Sequence, residues 1–512
     1  TEQEKIMAEL TPMMQKYMET KEQYKDCILF YRLGDFYEMF FDDALVASKE
    51  LEITLTGKSC GLEERAPMCG IPYHAVEGYL SKLVSRGYKV AICEQVEDPK
   101  LAKGLVKREV IRVVTPGTNL NVQSLEAGKN NYLLSIAYTP DGIGISAADV
   151  TTGDYYVTEV EDLKKLNDEL MKYEPSEIIC NEAFLVSGFD VNDLKSRLHI
   201  SVNALESHMF DDDGCRRILR KHFKVNTLIG LGIEEFPTGL LAAGALLQYL
   251  YDTQKTDLEH FTHIYPYLTS KYMLLDSSTR RNLELTETLR EKQKRGSLLW
   301  VLDKTKTAMG ARLLRNYIEQ PLIEKDEMEK RLDAIQELNQ DSISRDEIRE
   351  YLNPIYDLER LLSKVTYKTA NPRDLIAFRN SLQMLPPIKT VLAAFEKEEL
   401  TEIREQIDGL EDIYQLIDEA IIEEPPISIR EGGMIKDQFD ETIDRLRSAK
   451  HDGKQWLAQL EEEDRERTGI KNLKIKYNKV FGYYFEVTNS YKDLVPEDYI
   501  RKQTLANAER YT

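Results

Sequence analysis

The stretch YRLGDFYEMFFD, residues 31–42, decides how the N-terminal part of the chain folds. The apolar run before it, residues 28–31, predicts a strand, and the Gly-Asp pair inside it predicts a turn directly after that strand. Phe36 and Glu38 follow the turn. If this segment stays extended, both side chains point to the same side, because successive side chains of a strand alternate.

Two interpretations of this stretch stay open at the level of the residues. In the first, an exposed aromatic ring and a carboxylate form a probe, which is a flat wedge with one hydrogen-bonding group beside it. In the second, a helix begins here, and Phe36 and Phe40 are core residues four positions apart. Most large aromatic side chains are buried, which favours the second interpretation when the stretch is taken alone.

Composition bounds the class of protein. A chain of 512 residues has room for three or four domains, and 42% hydrophobic with 31% charged residues is typical of a globular protein. No apolar run approaches the ~20 residues that a membrane helix needs. Residues 1–5 lack the basic and apolar regions of a secretory signal. We therefore expect a cytoplasmic protein.

Cysteine and histidine spacing predicts no metal site. The six cysteines are scattered without a C-x-x-C pair, as expected of buried or free thiols in a reducing compartment. Two histidine clusters, His208 with Cys215 and His222, and His260 with His263, match no known ligand spacing. We predict neither a metal-binding nor a catalytic residue.

Charge is segregated along the chain. The net charge of −21 argues, on average, against a nucleic-acid partner. However, residues 391–424 hold twelve Asp and Glu against two Lys and Arg, so a solvated helical face supplies much of that charge. Residues 465–512 hold ten Lys and Arg against six Asp and Glu, a net of +4. A basic surface is therefore expected near the C-terminal end.

Patterns of apolar residues and turns predict an α/β module, a second α/β module, a helical region and a β-rich end. In the first module we expect strands at 28–31, 53–55, 89–94 and 109–114, and helices at 39–51 and 75–86. A basic loop before its last strand carries Lys100, Lys103, Lys107 and Arg108. The second module begins with strands at 132–138, 143–149 and 154–158.

The second half of the chain is predicted to form helices, followed by a hairpin. One apolar stripe comprises Met328, Leu332, Ile335 and Leu338, and another comprises Ile403, Ile407, Leu410, Tyr414 and Ile417. A helix from about 434 to 463, with Ile435 and Phe439 on its apolar stripe, would span ~45 Å. The alternating runs 473–478 and 483–488 predict a hairpin with Lys474 and Lys476 on one face.

Several long blocks resemble the MutS family of DNA mismatch-recognition proteins, of the bacterial type. They occur in the family's order and run through the whole chain. The blocks are TPMM (11–14), FYRLGDFYEMF (30–40), GIPYHA (70–75), AICEQ (91–95), VTPG (114–117), RRNLEL (280–285), GSLLWVLD (296–303) and QTLANAERY (503–511). This resemblance favours the probe interpretation of Phe36 and Glu38.

The resemblance implies a multidomain fold class, α/β plus all-α. Residues 1–115 would be a mixed α/β mismatch-binding domain, joined by a linker at 116–129 to a ribonuclease-H-like α/β connector at 130–265. A long-helix lever or core would follow at 266–445, and a small β clamp at 446–512. Such proteins recognise base mismatches and small insertion or deletion loops in duplex DNA and so start mismatch repair.

The resemblance also implies residue roles. Phe36 would be an aromatic wedge that enters the minor groove, and Glu38 would make a hydrogen bond to a mispaired base, as the carboxylate or as the protonated acid. Candidates for contacts to the DNA backbone, from the basic loop and the clamp, are Lys107, Arg108, Lys474, Lys476, Asn478, Arg501 and Asn507.

Family members continue into a C-terminal ATPase domain that forms most of a homodimer, so we expect this chain to be a fragment. ATP and Mg²⁺ are implied only for the full-length protein, and a MutL-type partner is implied for the connector. A P-loop needs the pattern G-x-x-x-x-G-K-[ST]. The near match at residues 57–59 has Glu52 where the first glycine should stand, so we predict no nucleotide site and no enzyme activity.

Two alternatives from other classes remain. A ribonuclease-H-like connector could be a metal-dependent nuclease with Asp149 at the end of its strand. However, two-metal chemistry needs several converging carboxylates, and Asp141 and Asp154 fall on turns. The other alternative is a protein-interaction scaffold without damage recognition.

Overall fold

The computed structural model describes residues 9–97, 106–121, 124–196, 198–478 and 482–512. The chain falls into two compact units, residues 1–414 and 415–512. Lys100 and Lys103 of the predicted basic loop lie outside the described residues, as does most of the predicted turn of the C-terminal hairpin.

Helices and strands alternate in the first half of the chain, and helices dominate the third quarter. The strands are β1 (Cys27–Leu33), β2 (Phe36–Phe40), β3 (Thr56–Lys58), β4 (Ala66–Pro72), β5 (Lys89–Gln95), β6 (Arg108–Val114), β7 (Leu133–Thr139), β8 (Gly142–Asp149), β9 (Asp154–Val160), β10 (Glu177–Asn181), β11 (Ser201–Leu205), β12 (Tyr265–Pro266), β13 (Lys474–Asn478), β14 (Gly482–Thr488), β15 (Arg501–Thr504) and β16 (Ala508–Tyr511). The helices are α1 (Pro12–Gln23), α2 (Phe41–Leu51), α3 (Val76–Val84), α4 (Leu163–Tyr173), α5 (Glu182–Leu185), α6 (Val191–Ser196), α7 (Asp212–Phe223), α8 (Pro237–Gln254), α9 (Ser277–Asn282), α10 (Leu298–Leu302), α11 (Ala308–Glu319), α12 (Lys325–Gln340), α13 (Ser342–Leu352), α14 (Leu358–Thr366), α15 (Pro372–Leu382), α16 (Leu385–Leu392), α17 (Glu398–Gln406), α18 (Glu411–Ala420) and α19 (Glu441–Thr468).

The first sheet has the strand order β3-β4-β2-β1-β5-β6. Strand β1 pairs antiparallel with β2 and parallel with β5, so it lies at the centre, and its side chains are buried on both faces. Helices α2 and α3 cover one face, where Tyr37 and Met39 lie in the core. Helix α1 packs on the other face through Met14 and Tyr17. The predicted mixed α/β module is therefore present.

One predicted strand of this module is wrong, and one predicted helix is present but begins two residues later. Residues 53–55 are not a strand, because β3 begins at Thr56 and pairs with β4. The helix predicted from residue 39 begins at Phe41, because residues 36–40 form β2 between β1 and β4. The interpretation of Phe36 and Phe40 as one helical core stripe fails for the same reason.

The second sheet has the order β11-β10-β7-β8-β9-β12, and its three predicted strands are present. Helix α8 packs directly on β7, β8 and β9, and the core beneath it contains Leu240, Leu246 and Leu247. Gly144 permits this close approach. A Cβ at Gly144 would lie 1.9 Å from the carbonyl oxygen of Thr238.

In the helical region, some residues of the predicted apolar stripes are exposed. Helix α12 is present, but Leu332 and Ile335 of the predicted stripe are 61% and 53% exposed. The second predicted stripe is divided between α17 and α18, because the chain turns between them at Leu410, whose φ is +48°.

The long helix of the C-terminal unit begins later than predicted. Residues Ile435 and Phe439 precede it, and Ile435 forms an isolated bridge with Ile421. Gln438 has a φ of +69°, and the Asp440 side chain caps α19 by accepting a hydrogen bond from the backbone N–H of Ile443. The helix has 28 residues and therefore spans about 42 Å.

A buried arginine pair fastens the linker between the two α/β modules to the helical region. Arg312 donates to Asp357 at 2.7 Å and to the carbonyl oxygen of Ala127 at 2.9 Å. Arg360 donates to the carbonyl oxygens of Glu126 and Lys129 at 3.1 and 2.8 Å. The two arginine residues are 3% and 1% exposed. The linker is therefore held through its backbone.

We expect Arg312→Met to release this linker. Removing one partner of a buried ion pair leaves the other without compensation, which costs about 3–5 kcal/mol. Native-state hydrogen exchange should show that the free energy of opening residues 124–131 falls by about 3 kcal/mol. Arg345→Met, in an ion pair whose side chains are 37% and 68% exposed, is the control and should change stability by less than about 1 kcal/mol. Unchanged exchange in the linker would contradict this role.

Candidate nucleic-acid interface

Phe36 is the first residue of β2, and its side chain is 46% exposed. Glu38 lies two residues further along the same strand and therefore on the same face. Tyr37 and Met39, between and beyond them, point into the core. The extended conformation expected for this segment thus places the ring and the carboxylate side by side.

The hairpin that carries Phe36 is supported from its opposite face. The Arg32 guanidinium lies 3.8 Å from the centre of the Tyr73 ring, and Arg32 Nε donates to the carbonyl oxygen of Gly34 at 2.5 Å. The backbone N–H of Tyr73 donates to the carbonyl oxygen of Asp35 at 3.0 Å. Gly34 has a φ of +58°, a conformation that glycine adopts without strain. These contacts fix the turn before any ligand arrives.

A second set of bonds anchors β2 itself. The hydroxyl of Tyr37 donates to Oε1 of Glu94, and Arg32 Nη1 lies 3.4 Å from the same oxygen. Burial, and after it the bond to Glu94, raises the pKa of Tyr37, so its hydroxyl stays a donor. The strand beneath Phe36 is therefore held by side-chain bonds as well as by its pairing with β1 and β4.

Glu38 has a partner that the sequence did not indicate. Lys58 Nζ lies 2.5 Å from Glu38 Oε2, and the two side chains are 33% and 17% exposed. The Lys58 ammonium also lies 5.5 Å from the centre of the Phe40 ring. Lys58 belongs to the P-loop near match, which here forms edge strand β3 and pairs with β4. The two residues lie on strands separated by β4, so no local sequence signal indicates the pair.

The two basic-loop candidates in the described residues differ in what they offer. The Lys107 side chain is 65% exposed and forms an ion pair with Glu109 at 2.6 Å. Arg108 Nε donates to the carbonyl oxygen of Arg32 at 2.8 Å, and its guanidinium lies 5.4 Å from the centre of the Tyr31 ring. Arg108 is thus engaged within the sheet. Both residues stay predictions as contacts to a DNA backbone.

The sheet of the C-terminal unit has the order β13-β14-β16-β15. Lys474 and Lys476 alternate with Ile475, so they share one face of β13, as expected. Lys476 Nζ lies 2.6 Å from Glu486 Oε1, and Arg510 Nε lies 3.5 Å from Glu486 Oε2. Of the two lysines, Lys476 therefore has part of its charge offset within the sheet.

The remaining candidates lie around the same sheet. Asn478 ends β13, and Asn507 is exposed in the turn before β16. Arg501 is 58% exposed at its side chain, and its Nη1 lies 3.4 Å from Glu509 Oε1. Their contact to DNA stays a prediction.

An exposed aromatic pair on β13 and β14 is absent from the sequence-based candidates. Tyr477 and Tyr483 are cross-strand partners, 62% and 58% exposed, with ring centres 5.2 Å apart. Their positions at the end of two alternating runs, beside a turn, would have predicted exposed rings at the tip of the hairpin.

Glu509 ties the last strand to the 3-10 helix Asn489–Leu494, which follows β14. Its Oε1 lies 2.8 Å from Lys492 Nζ, and its Oε2 accepts a hydrogen bond from the Tyr511 hydroxyl. The Lys492 ammonium, with the Tyr511 hydroxyl second, lowers the pKa of Glu509 to about 2. The ionised carboxylate thus stabilises the folded sheet.

The acidic group proposed for a nuclease site is saturated by the chain's own donors. Asp149 is buried and accepts hydrogen bonds from Asn130 Nδ2 at 2.9 Å and from Thr151 Oγ1 at 2.7 Å. Asn130 Nδ2 also donates to Asp154 at 2.8 Å. Burial, and after it the charge of Asp149, raises the pKa of Asp154 to about 6. Asp141 lies exposed on its turn.

Two of the four histidines considered as metal ligands, His222 and His260, make hydrogen bonds within the fold. His222 makes hydrogen bonds to the Tyr251 hydroxyl and the Phe261 carbonyl oxygen, both at 2.8 Å. His260 makes one to the carbonyl oxygen of Val150 at 3.1 Å. Within the described ranges, no group of three or more His, Cys, Asp or Glu is arranged to hold a metal ion. The six cysteines are free and buried, as the sequence predicted.

The fold and its exposed groups define a modular protein of mixed α/β sheets and many helices, with exposed aromatic and basic side chains of the kind found in nucleic-acid-binding proteins. None of the described helices has both the length and the apolar composition that crossing a membrane requires.

Comparison with known proteins identifies the family. Models of MutS domain I, MutS domain II and MutS domain III match residues 11–123, 131–262 and 278–505. The chain belongs to the MutS family.

Relatives match over nearly the whole chain. The DNA mismatch repair protein MutS of Lachnoclostridium phytofermentans is 67% identical over 506 residues, which are 99% of this chain and 54% of that protein. Proteins of the same name from Ruminiclostridium cellulolyticum and Acetivibrio thermocellus are each 54% identical, over 99% of this chain and 58% of theirs. The chain thus spans about half the length of these relatives.

We expect acid to loosen the C-terminal sheet through Glu509. Because the folded-state pKa lies below the ordinary value of 4.5, the stabilisation is complete above pH about 4.5 and is lost as the pH falls towards about 2. Amide exchange in β14 and β16, corrected for intrinsic rates, should therefore quicken over this range. Glu509→Gln should abolish that dependence, whereas Glu497→Gln, at an exposed position of the same unit, should preserve it. Equal profiles for both variants would refute the assignment.

Proposed function

We propose that this chain recognises base mismatches and small insertion or deletion loops in duplex DNA, as the first step of mismatch repair. The observation that carries the proposal is the half-exposed Phe36 ring on a braced hairpin, with Glu38 on the same face. The names of the MutS relatives, DNA mismatch repair protein, support it. The nuclease alternative lacks comparable support because Asp149 is saturated by internal donors. A scaffold without damage recognition is not supported by the relatives' names.

The proposed readout is deformation energy. Mispaired and extrahelical bases stack poorly, so bending and unstacking the duplex at such a site costs less than in a perfect duplex. Phe36 would enter the minor groove, stack on one mispaired base and kink the duplex. Stacking tolerates any base identity and is worth ~1–3 kcal/mol. The support of the hairpin matters because a ring that moved when it met the DNA could not bend the duplex.

Glu38 would discriminate more than it binds. A carboxylate near phosphates is electrostatically adverse, so only a base that offers it a hydrogen bond compensates for its presence. A paired base keeps its hydrogen-bonding edge engaged with its partner. The matched duplex would therefore incur the electrostatic repulsion without forming the compensating hydrogen bond.

The domain assignment is part of the proposal. Residues 1–115 would form the mismatch-binding domain, 130–265 a ribonuclease-H-like connector after the 116–129 linker, 266–445 the lever or core, and 446–512 a clamp on the DNA backbone. The net charge of +4 over residues 465–512 supports the clamp role.

The wider setting rests on the family. The full-length protein would bind ATP and Mg²⁺ in a C-terminal ATPase domain and form a homodimer, and its connector would contact a MutL-type partner. We also propose a cytoplasmic, nucleoid-associated location, where the DNA substrate is found. Residues 1–512 would supply recognition, and hydrolysis would belong to the ATPase domain.

Phe36→Ala should remove mismatch preference while weak duplex binding survives. Loss of one stacking contact, worth ~1–3 kcal/mol, predicts a fall of about 5- to 150-fold in the ratio of mismatched to matched affinity. Fluorescence anisotropy with one mismatched and one matched duplex measures that ratio. Leu55→Ala, which removes a 45% exposed apolar side chain of the same module, should leave it unchanged. Preference retained by Phe36→Ala would reject the wedge and with it the proposed function.

Lys474→Ala should reduce the salt dependence of duplex binding. Each phosphate contact contributes about −0.9 to the slope of log affinity against log salt, so losing one should lower the slope by about 1. Lys476→Ala should do less, because Glu486 already offsets part of that charge. Lys325→Ala, at a 79% exposed lysine of α12, is the control. A slope equal to that of the control would assign Lys474 to solubility alone.

A further inference from the structure

The ion pair between Lys58 and Glu38 is the feature of the hairpin face that wedge recognition does not explain. Its atoms are 2.5 Å apart, and both side chains are more than half buried. Lys58 stands on β3, two strands from Glu38, so the pair reaches across the intervening strand β4. Such a pair gains strength when a docked duplex displaces water from it, because the local dielectric constant falls.

No side chain covers the backbone between the Phe36 ring and the Glu38 carboxylate at Gly70. Gly70 of β4 is the cross-strand partner of Glu38. A Cβ at Gly70 would lie 3.5 Å from Glu38 Cγ and 3.8 Å from Phe36 Cδ1. Since glycine carries no side chain, the floor between the ring and the carboxylate is bare backbone. A base stacked on Phe36 would therefore meet Glu38 directly.

The two oxygens of the Glu38 carboxylate differ in their contacts. Lys58 binds Oε2, whereas no hydrogen bond to Oε1 is present among the described residues. Oε1 is thus the oxygen left to accept from a base. The ammonium also offsets part of the carboxylate charge, which lowers the electrostatic cost that matched and mismatched duplexes meet alike.

We propose that Lys58 is a specificity-determining residue of the mismatch site, which holds Glu38 by one oxygen and presents the other to a displaced base. This inference rests on the proposed function. Without Lys58, the carboxylate keeps its full charge beside the duplex and regains rotational freedom that the hydrogen bond must then remove. The mismatched complex alone contains that hydrogen bond, so it loses more affinity than the matched complex.

Two simpler roles for Lys58 make different predictions. A lysine that only contacts phosphate would aid both duplexes equally, whether or not Glu38 is present. A lysine that only stabilises the sheet would affect unfolding and leave DNA binding unchanged. Coupling between Lys58 and Glu38 in mismatch preference is expected of the proposed role alone.

A double-mutant cycle tests the proposal on the whole chain. Lys58→Met, Glu38→Ala and the double variant are titrated with a duplex containing one G·T mismatch and with its G·C counterpart, across a salt series. Lys58→Met should lower mismatch preference about tenfold in the presence of Glu38 and leave it unchanged in the Glu38→Ala background. Lys58→Arg should keep most of the preference. Lys16→Met, which breaks an exposed ion pair on α1, is the control.

Each outcome decides the matter. Equal losses on both duplexes in both backgrounds, with a salt slope lower by about 1, would make Lys58 a phosphate contact and overturn the proposal. Unchanged binding with a lower unfolding midpoint would make it structural and overturn the proposal equally. If the unmodified chain itself shows no preference, or Phe36→Ala retains it, the proposed function fails and the inference falls with it. The proposed function and the role of Lys58 would both be supported if Lys58→Met lowered mismatch preference only when Glu38 is present and Phe36→Ala abolished that preference.

Discussion

The pairing of β2 between β1 and β4 is the constraint on which the candidate site depends. Hydrogen bonds on both edges hold residues 36–40 extended, so alternate side chains must face opposite sides of the sheet. Tyr37 and Met39 fill the core, and this burial fixes the register. A slip of one residue would bury Glu38 and expose Tyr37. The burial of Tyr37 and Met39 therefore forces the Phe36 side chain to the other face of the strand. This explains why an apolar ring is exposed to solvent.

The sequence predicted elements well where one local rule was decisive, and poorly where packing partners were distant. The central strands of both sheets and the hairpin at Lys474 follow from apolar runs and turn residues. The start of α19 was missed because an apolar stripe continues through Ile435 and Phe439, while the capping Asp440 sets the actual boundary. The pair between Lys58 and Glu38 could not be predicted. It depends on the strand order β3-β4-β2, and local sequence patterns do not specify the order of strands in a sheet.

In the proposed function, charge would separate the clamp, which holds the duplex, from the mismatch site, which tests it. Near Phe36, the cations Arg32, Arg108 and Lys58 all bind groups of the protein itself. The C-terminal unit differs, since Lys474 is exposed and its sheet belongs to a segment of net charge +4. A strongly basic reading site would bind every duplex tightly and mask the few kcal/mol by which a mismatch differs. A site with little free charge leaves that difference visible.

The proposed function would also require firm supports for the module that carries Phe36. Discrimination by deformation requires the protein to be stiffer than the DNA, because energy is otherwise stored in the softer partner. The hairpin is braced by Arg32 and Tyr73, and the linker behind the module is held by Arg312 and Arg360 through backbone carbonyls. Hydrogen bonds to carbonyl oxygens act on the backbone itself, so they restrain the path of the linker directly. Buried arginine is costly as a source of stability, but it suits a part whose function is to remain in place.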